Sequence, residues 1–139
     1  MDNLNINCKV SPLLIDLWAM ILNENENLKS TESRNRLIFT TMPCRVLEEN
    51  QLSAPATRKR RFIEATLSQL IKRALPKVKN MDLFIFPTEQ NGSYYLMSFD
   101  LKYMKFLIID SCDREVSIQM KYFSLPTQVV SIKIYIICF

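Results

Sequence analysis

The 139-residue sequence contains no histidine. A hydroxyl or thiol nucleophile needs a neighbouring base, and imidazole is the usual one, so Ser-His-Asp and Cys-His arrangements are excluded. Zinc sites with imidazole ligands are excluded on the same ground. The four cysteines, Cys8, Cys44, Cys112 and Cys138, are widely spaced and include no CxxC pair. A cysteine-only zinc site draws on such pairs, so no metal or other cofactor is expected. The N-terminus, MDNLNINCKV, is polar and carries no secretory signal. The cysteines therefore read as reduced thiols of an intracellular protein, nuclear or cytoplasmic. Cys112 follows Asp110 by two residues, but its nearest cation in sequence, Arg114, is offset by Asp113. With no base to form the thiolate, Cys112 reads as a structural or loop thiol.

Charge is unevenly placed. Residues 56–79 hold eight basic side chains and one acidic, between two slightly acidic flanks. Arg58, Lys59, Arg60 and Arg61 form the one dense basic run. At the start of a helix such a run opposes the macrodipole, which leaves two readings open: a solvated first turn, or an import signal or contact for an anionic partner. The aromatic residues nearest to it are not interleaved with the cations, so nucleic acid is not the expected partner. No apolar run reaches the roughly 18 residues of a membrane span, and no membrane partner is expected.

These residues must be carried by a small number of elements. Residues 1–10 read as a polar leader. Ser11 and Pro12 read as N-cap and first helical position. Leu13, Leu14, Leu17, Trp18, Ile21 and Leu22 follow at helical spacing, which predicts a helix over 12–23, ended by the asparagine-rich stretch 23–27. Leu14, Trp18 and Leu22 form a ridge read as core packing, with an exposed partner groove as the other reading. Residues 37–41 favour a strand closed by Pro43, a short helix is possible near 44–50, and a second clear helix is predicted over 57–74. Its stripe is Phe62, Ile63, Leu67, Leu70, Ile71 and Ala74. The period then changes. Residues 82–86, closed by Pro87, 94–99 and 104–109 read as three strands of an antiparallel meander, with Asn91-Gly92 as the first turn and residues 100–103 as the second. Residues 111–128 are ambiguous. Residues 129–139 read as a strand in which Ile132, Ile134 and Ile136 alternate with Lys133, Tyr135 and Ile137.

The meander resembles the ubiquitin-like-modifier (SUMO) protease family of cysteine peptidases. The resemblance rests on Leu83-Phe84-Ile85-Phe86-Pro87, Asn91-Gly92-Ser93-Tyr94-Tyr95-Leu96, Asp100-Leu101 and Ile108-Ile109-Asp110-Ser111. In that family the strand ending near proline leads to a His-Trp pair, and the catalytic histidine and aspartate stand 17 residues apart. Ser93 and Asp110 have the same spacing. Ile15-Asp16-Leu17-Trp18 through Leu22-Asn23 is similar to the opening helix of plant members, so the resemblance covers about residues 11–111. It implies an α+β fold with an antiparallel sheet of three or four strands and flanking helices, an incomplete papain-like fold. It also implies a partial catalytic domain over 11–128, followed by a hydrophobic tail, 129–139, unlike the family.

Residue by residue, the resemblance implies that Asp110 holds the catalytic aspartate position and that Ser93 replaces the catalytic histidine. Tyr94 stands where the family has a tryptophan that clamps the modifier's extended diglycine tail, and Tyr94 and Trp18 are the candidate substrate-binding residues. The family's nucleophile lies downstream in an Asp-Cys-Gly segment. The one glycine of this sequence is Gly92, so that segment is absent. The reaction implied is thiol hydrolysis of a bond to a SUMO-type modifier. This chain is expected to be an inactive, truncated fragment or pseudoenzyme. The alternative is a non-catalytic module that binds a ubiquitin-like protein or an anionic partner.

Overall fold

The computed structural model describes residues 10–49, 52–73, 80–90 and 93–110. Helix α1, Pro12–Glu24, opens with Pro12 at its first turn and with the Ser11 hydroxyl accepting the Leu13 N–H at 3.3 Å. Such a cap satisfies one of the amides that a helix start leaves without a partner. The asparagines that follow do not stop the chain from coiling: Asn25–Leu28 continues as a 3-10 turn. Strand β1, Arg36–Ile38, leads into α2, Met42–Glu49, and α3, Pro55–Arg73. Pro43 sits inside the first turn of α2, where its missing N–H costs nothing. Strands β2, Leu83–Gln90, β3, Ser93–Asp100, and β4, Lys105–Asp110, complete the fold.

The fold is α+β, with one four-stranded sheet in the order β1-β2-β3-β4. The sheet is mixed rather than antiparallel throughout. β2, β3 and β4 form an antiparallel meander, but β1 pairs parallel to β2, with Leu37 opposite Phe84. The reason is the connection: α2 and α3 lie between β1 and β2, and a crossover of that length returns the chain in its starting direction. Pro87 does not close β2. It pairs with Leu96 within the strand, which continues to Gln90. Gln90 pairs with Ser93, so the hairpin closes over two residues, 91 and 92, which lie outside the described residues. The second turn is held by Asp100, whose Oδ1 accepts the Tyr103 N–H at 2.9 Å, and Met104 takes a left-handed φ of 53° there. The strand expectation for 129–139 also falls outside the described residues.

One face of the sheet carries the core. Phe84, Phe86, Tyr95, Met97 and Phe99 point toward α2 and α3 and pack with Leu37, Phe39, Cys44, Leu47, Phe62 and Leu70. Phe86 stacks on Phe39 with ring centroids 4.3 Å apart and meets Phe99 edge-on at 5.6 Å and Phe62 at 5.7 Å. On α3 the stripe is narrower than the sequence suggests. Phe62, Thr66 and Leu70 are buried and Ile63 and Leu67 partly so, whereas Ile71 is exposed. The larger correction concerns α1. Trp18 is 55% exposed, Leu14 and Leu22 are exposed as well, and Ala19 alone on that helix is buried. Apolar residues occupy nearly every side of α1, so periodicity alone could not choose the side that packs.

Two outcomes follow from this packing. Phe86→Ala removes the ring at which β2, β3, α3 and the residue after β1 meet, and should lower unfolding free energy by about 3–5 kcal/mol in urea titration. The second concerns Asp100, whose Oδ2 lies 2.8 Å from Arg34 Nη1. The Arg34 guanidinium, aided by the Tyr103 and Lys102 amides, holds its carboxyl down to about 2 from an ordinary 3.8. A folded-state pKa below the unfolded one adds stability that is complete above about 3.8 and is lost as pH falls through about 2. The urea midpoint should therefore fall across that window, and Asp100→Asn should flatten that part of the fall.

Candidate functional site

The site suggested by the sequence lies at one end of β3 and β4. Asp110 pairs directly with Tyr95. Ser93 is two residues before Tyr95 on the same strand, so the backbone register makes Ser93 a diagonal, same-face neighbour of Asp110. Diagonal neighbours across antiparallel strands have backbones about 7–8 Å apart. Asp110 is half-buried, on the face that carries Tyr95 and Met97. Tyr94, one residue on from Ser93, belongs to the opposite face of the sheet because strand side chains alternate.

Around Tyr94 the outer face of the sheet meets α1. Ile15, Pro87, Tyr94, Tyr95, Leu96 and Ile109 line an open depression of about 220 Å³. The Tyr94 hydroxyl donates to the Val10 carbonyl at 2.7 Å, which ties the approach to α1 across the rim. Tyr94 pairs with Glu89 across the β2–β3 ladder. Partial burial, with the nearby charge of Glu89, raises the phenol above its ordinary range, so it remains a neutral donor. Glu48 is also raised, by burial first and then by Glu89 and Glu49. The lining of the depression, Ile15, Pro87, Leu96 and Ile109 with the two tyrosines, is mainly apolar.

Asp16, from α1, fixes this end of the helix by accepting the Thr41 N–H at 2.6 Å. Asn23 does the same at the other end. Its amide Nδ2 donates to the Ile38 carbonyl at 2.7 Å and its Oδ1 accepts the Ile38 N–H at 2.9 Å. The side chain read from sequence as a helix terminator thus acts as a peptide group for the outer edge of β1.

The remaining candidates are placed elsewhere. Trp18 is on α1 but does not line the depression. Arg58, Lys59, Arg60 and Arg61 occupy the first two turns of α3; none lines the depression, and Arg60 pairs with Glu64 at 3.7 Å. Cys112 is outside the described residues. Cys44 is buried on α2, and desolvation pushes its thiol up to about 12 despite a hydrogen bond with Thr88, so it is an unreactive core group. Sequence reasoning missed Val10, Ile15, Leu96, Pro87 and Ile109. Leu96 and Ile109 carried a signal, since both share the strand parity that places Tyr94 on the outer face. Val10 carried none, because a backbone carbonyl has no residue signature. Among the described residues, no helix is long and apolar enough to cross a membrane.

No family model matches the chain, and no curated protein matches it in sequence. Its fold is similar to a solved structure of the SUMO protease Ulp1 with the catalytic cysteine oxidised to a sulfinic acid, at a TM-score of 0.60 and 15% identity. The match covers 90% of this chain and 48% of that one, so the chain spans about half the length of its structural neighbour. The likeness is one of fold: the helices and the mixed sheet form a SUMO-protease-like arrangement.

Proposed function

We infer that the chain is a catalytically inactive relative of the SUMO-type cysteine peptidases, and that its remaining activity is to bind a ubiquitin-like modifier. One observation carries the reading: on a sheet with a SUMO-protease-like fold, the residue diagonal to Asp110 is Ser93, in a sequence with no histidine. The family's aspartate orients an imidazole. With serine in that place, no base is available to make a thiolate, and a carboxylate is too weak a base to activate a neutral hydroxyl. These 139 residues contain no Asp-Cys-Gly segment to supply the family's nucleophile.

Binding does not need that chemistry. An apolar depression with one neutral phenol at its rim can take an extended backbone: the phenol donates to a carbonyl, as it already does to Val10. Tyr94 is the residue assigned this contact, with Asp110 and Ser93 as the remnant of the catalytic pair. Trp18, exposed on α1, is assigned to the modifier's globular body rather than to its tail.

The test has two arms. The full chain, incubated with a SUMO-type precursor and with a diglycine ester, should release no product above a no-enzyme control. Ser93→His should be equally inactive, because it restores only the base. Isothermal titration with the mature modifier should give saturable binding, weakened about tenfold or more by Tyr94→Ala, in line with loss of a buried aromatic anchor. Turnover by the wild-type chain would overturn the inactive reading; absence of binding would overturn the module.

A further inference from the structure

A basic cluster lies at the far end of the sheet from Tyr94. Tyr94 and Asp100 are six residues apart on β3, about 20 Å at the rise of a strand. There the β3–β4 turn presents Tyr103, 59% exposed, with three cations around its ring. Lys102 Nζ lies 5.5 Å from the ring centroid, the Arg34 guanidinium carbon 5.6 Å and Lys105 Nζ 6.0 Å. Lys102 and Lys105 are exposed, and among the described residues neither forms an ion pair.

Asp100 assembles the cluster. Its Oδ1 accepts the Tyr103 N–H at 2.9 Å, and its Oδ2 lies 2.8 Å from Arg34 Nη1. One carboxylate thus shapes the turn that carries Tyr103 and draws Arg34, from the loop before β1, against it. Asp100 is buried, so its charge is directed inward. The other carboxylate whose charge reaches Arg34 is Asp82, and its Oδ2 accepts the Asn35 N–H at 2.8 Å. The turn therefore offers solvent an aromatic ring, two ammonium groups and a half-exposed guanidinium. Like charges gathered in this way repel one another, and the ring offsets the repulsion only in part.

The shape of the set narrows the ligand. The cations surround a side chain rather than a common empty point, which a single phosphate would need. The ring is already engaged by cations, which disfavours it as a stacking platform for nucleotide bases. Carboxylates spaced along an extended peptide fit better. Any two of the cations are at most about 12 Å apart, a span that about four residues of extended chain cover.

We propose that the β3–β4 turn binds an acidic peptide segment of a partner protein, with its carboxylates on Arg34, Lys102 and Lys105 and its chain across Tyr103. This surface is separate from the depression at Tyr94, and the inference is independent of modifier binding. It also differs from the basic run on α3, where the sequence allowed a contact for an anionic partner.

Fluorescence anisotropy of the full chain with a dye-labelled hexaglutamate peptide tests it. Binding should be saturable at low salt and weaken severalfold as sodium chloride rises from about 20 to about 150 mM. Lys102→Glu combined with Lys105→Glu should weaken it about tenfold or more. Arg60→Glu combined with Arg61→Glu, on α3, should leave it unchanged. Amide NMR shifts of the wild-type chain on adding the peptide should centre on Arg34 and on residues 100–105, which locates the site even if a charge-reversed chain does not fold. Absence of saturable binding would overturn the proposal. So would loss of binding in the α3 variant instead of the turn variant, or shifts centred elsewhere. Tighter binding of inorganic phosphate or of a short thymidine oligonucleotide at the same turn would overturn it too, because the ligand would then be a phosphate.

Discussion

Phe86 is the residue on which the architecture converges. Its ring lies flat on Phe39, beyond the end of β1, and is contacted edge-on by Phe99 of β3 and at a tilt by Phe62 of α3. Four segments distant in sequence therefore meet at one side chain on a central strand. Aromatic rings in offset or edge-to-face contact bury large areas and restrict one another's orientation. Phe86 pairs with Met97, and Met97 with Ile108, so the same residue sits in the ladder that sets the register of β3 and β4. The positions of Ser93, Tyr94 and Asp110 are consequences of that register.

Polar side chains do a different task at the margin of the sheet. β1 has only three residues and, among the described residues, one strand neighbour, so the backbone from Ile38 to Thr41 finds other partners. Asn23 supplies both a donor and an acceptor to Ile38, Gln69 accepts from the Thr40 N–H, and Asp16 accepts from the Thr41 N–H. Each bond is modest by itself, but an unmade bond at a part-buried backbone group costs more than a made one contributes. These three side chains, from α1 and α3, dock both helices on one stretch of chain. They hold α1 close to Tyr94 although little of its apolar surface is buried.

The proposed site has two sides. Strand alternation separates Tyr94 from Ser93 and Asp110: the phenol faces the depression beside α1, while Asp110 lies on the face that bears the core. The proposed binding surface and the proposed remnant of a catalytic pair thus occupy opposite sides of one strand end. On the proposed reading, a serine in the place of the base on one side leaves the other side unchanged, which is the physical ground for proposing a binder.

Much of this was legible in the residues. Ser11-Pro12 and the Leu-rich spacing marked α1, Asn91-Gly92 and Asp100 marked the breaks between the meander strands, and the absence of histidine from these residues excluded imidazole-based chemistry. These are local properties: a cap, a turn, a period and a side-chain inventory. The parallel pairing of β1, the passage of β2 through Pro87, the exposure of Trp18 and the contact of Tyr94 with Val10 were not legible. Each depends on which distant segment lies alongside, and side-chain period carries no information about that. An all-round apolar helix such as α1 cannot announce its buried side, and a backbone carbonyl such as that of Val10 leaves no mark in the sequence. In the folded chain Phe39, Phe62 and Phe99 meet the Phe86 ring while Asn23, Gln69 and Asp16 bond the peptide groups from Ile38 to Thr41, and such contacts between distant segments leave no local mark in the sequence.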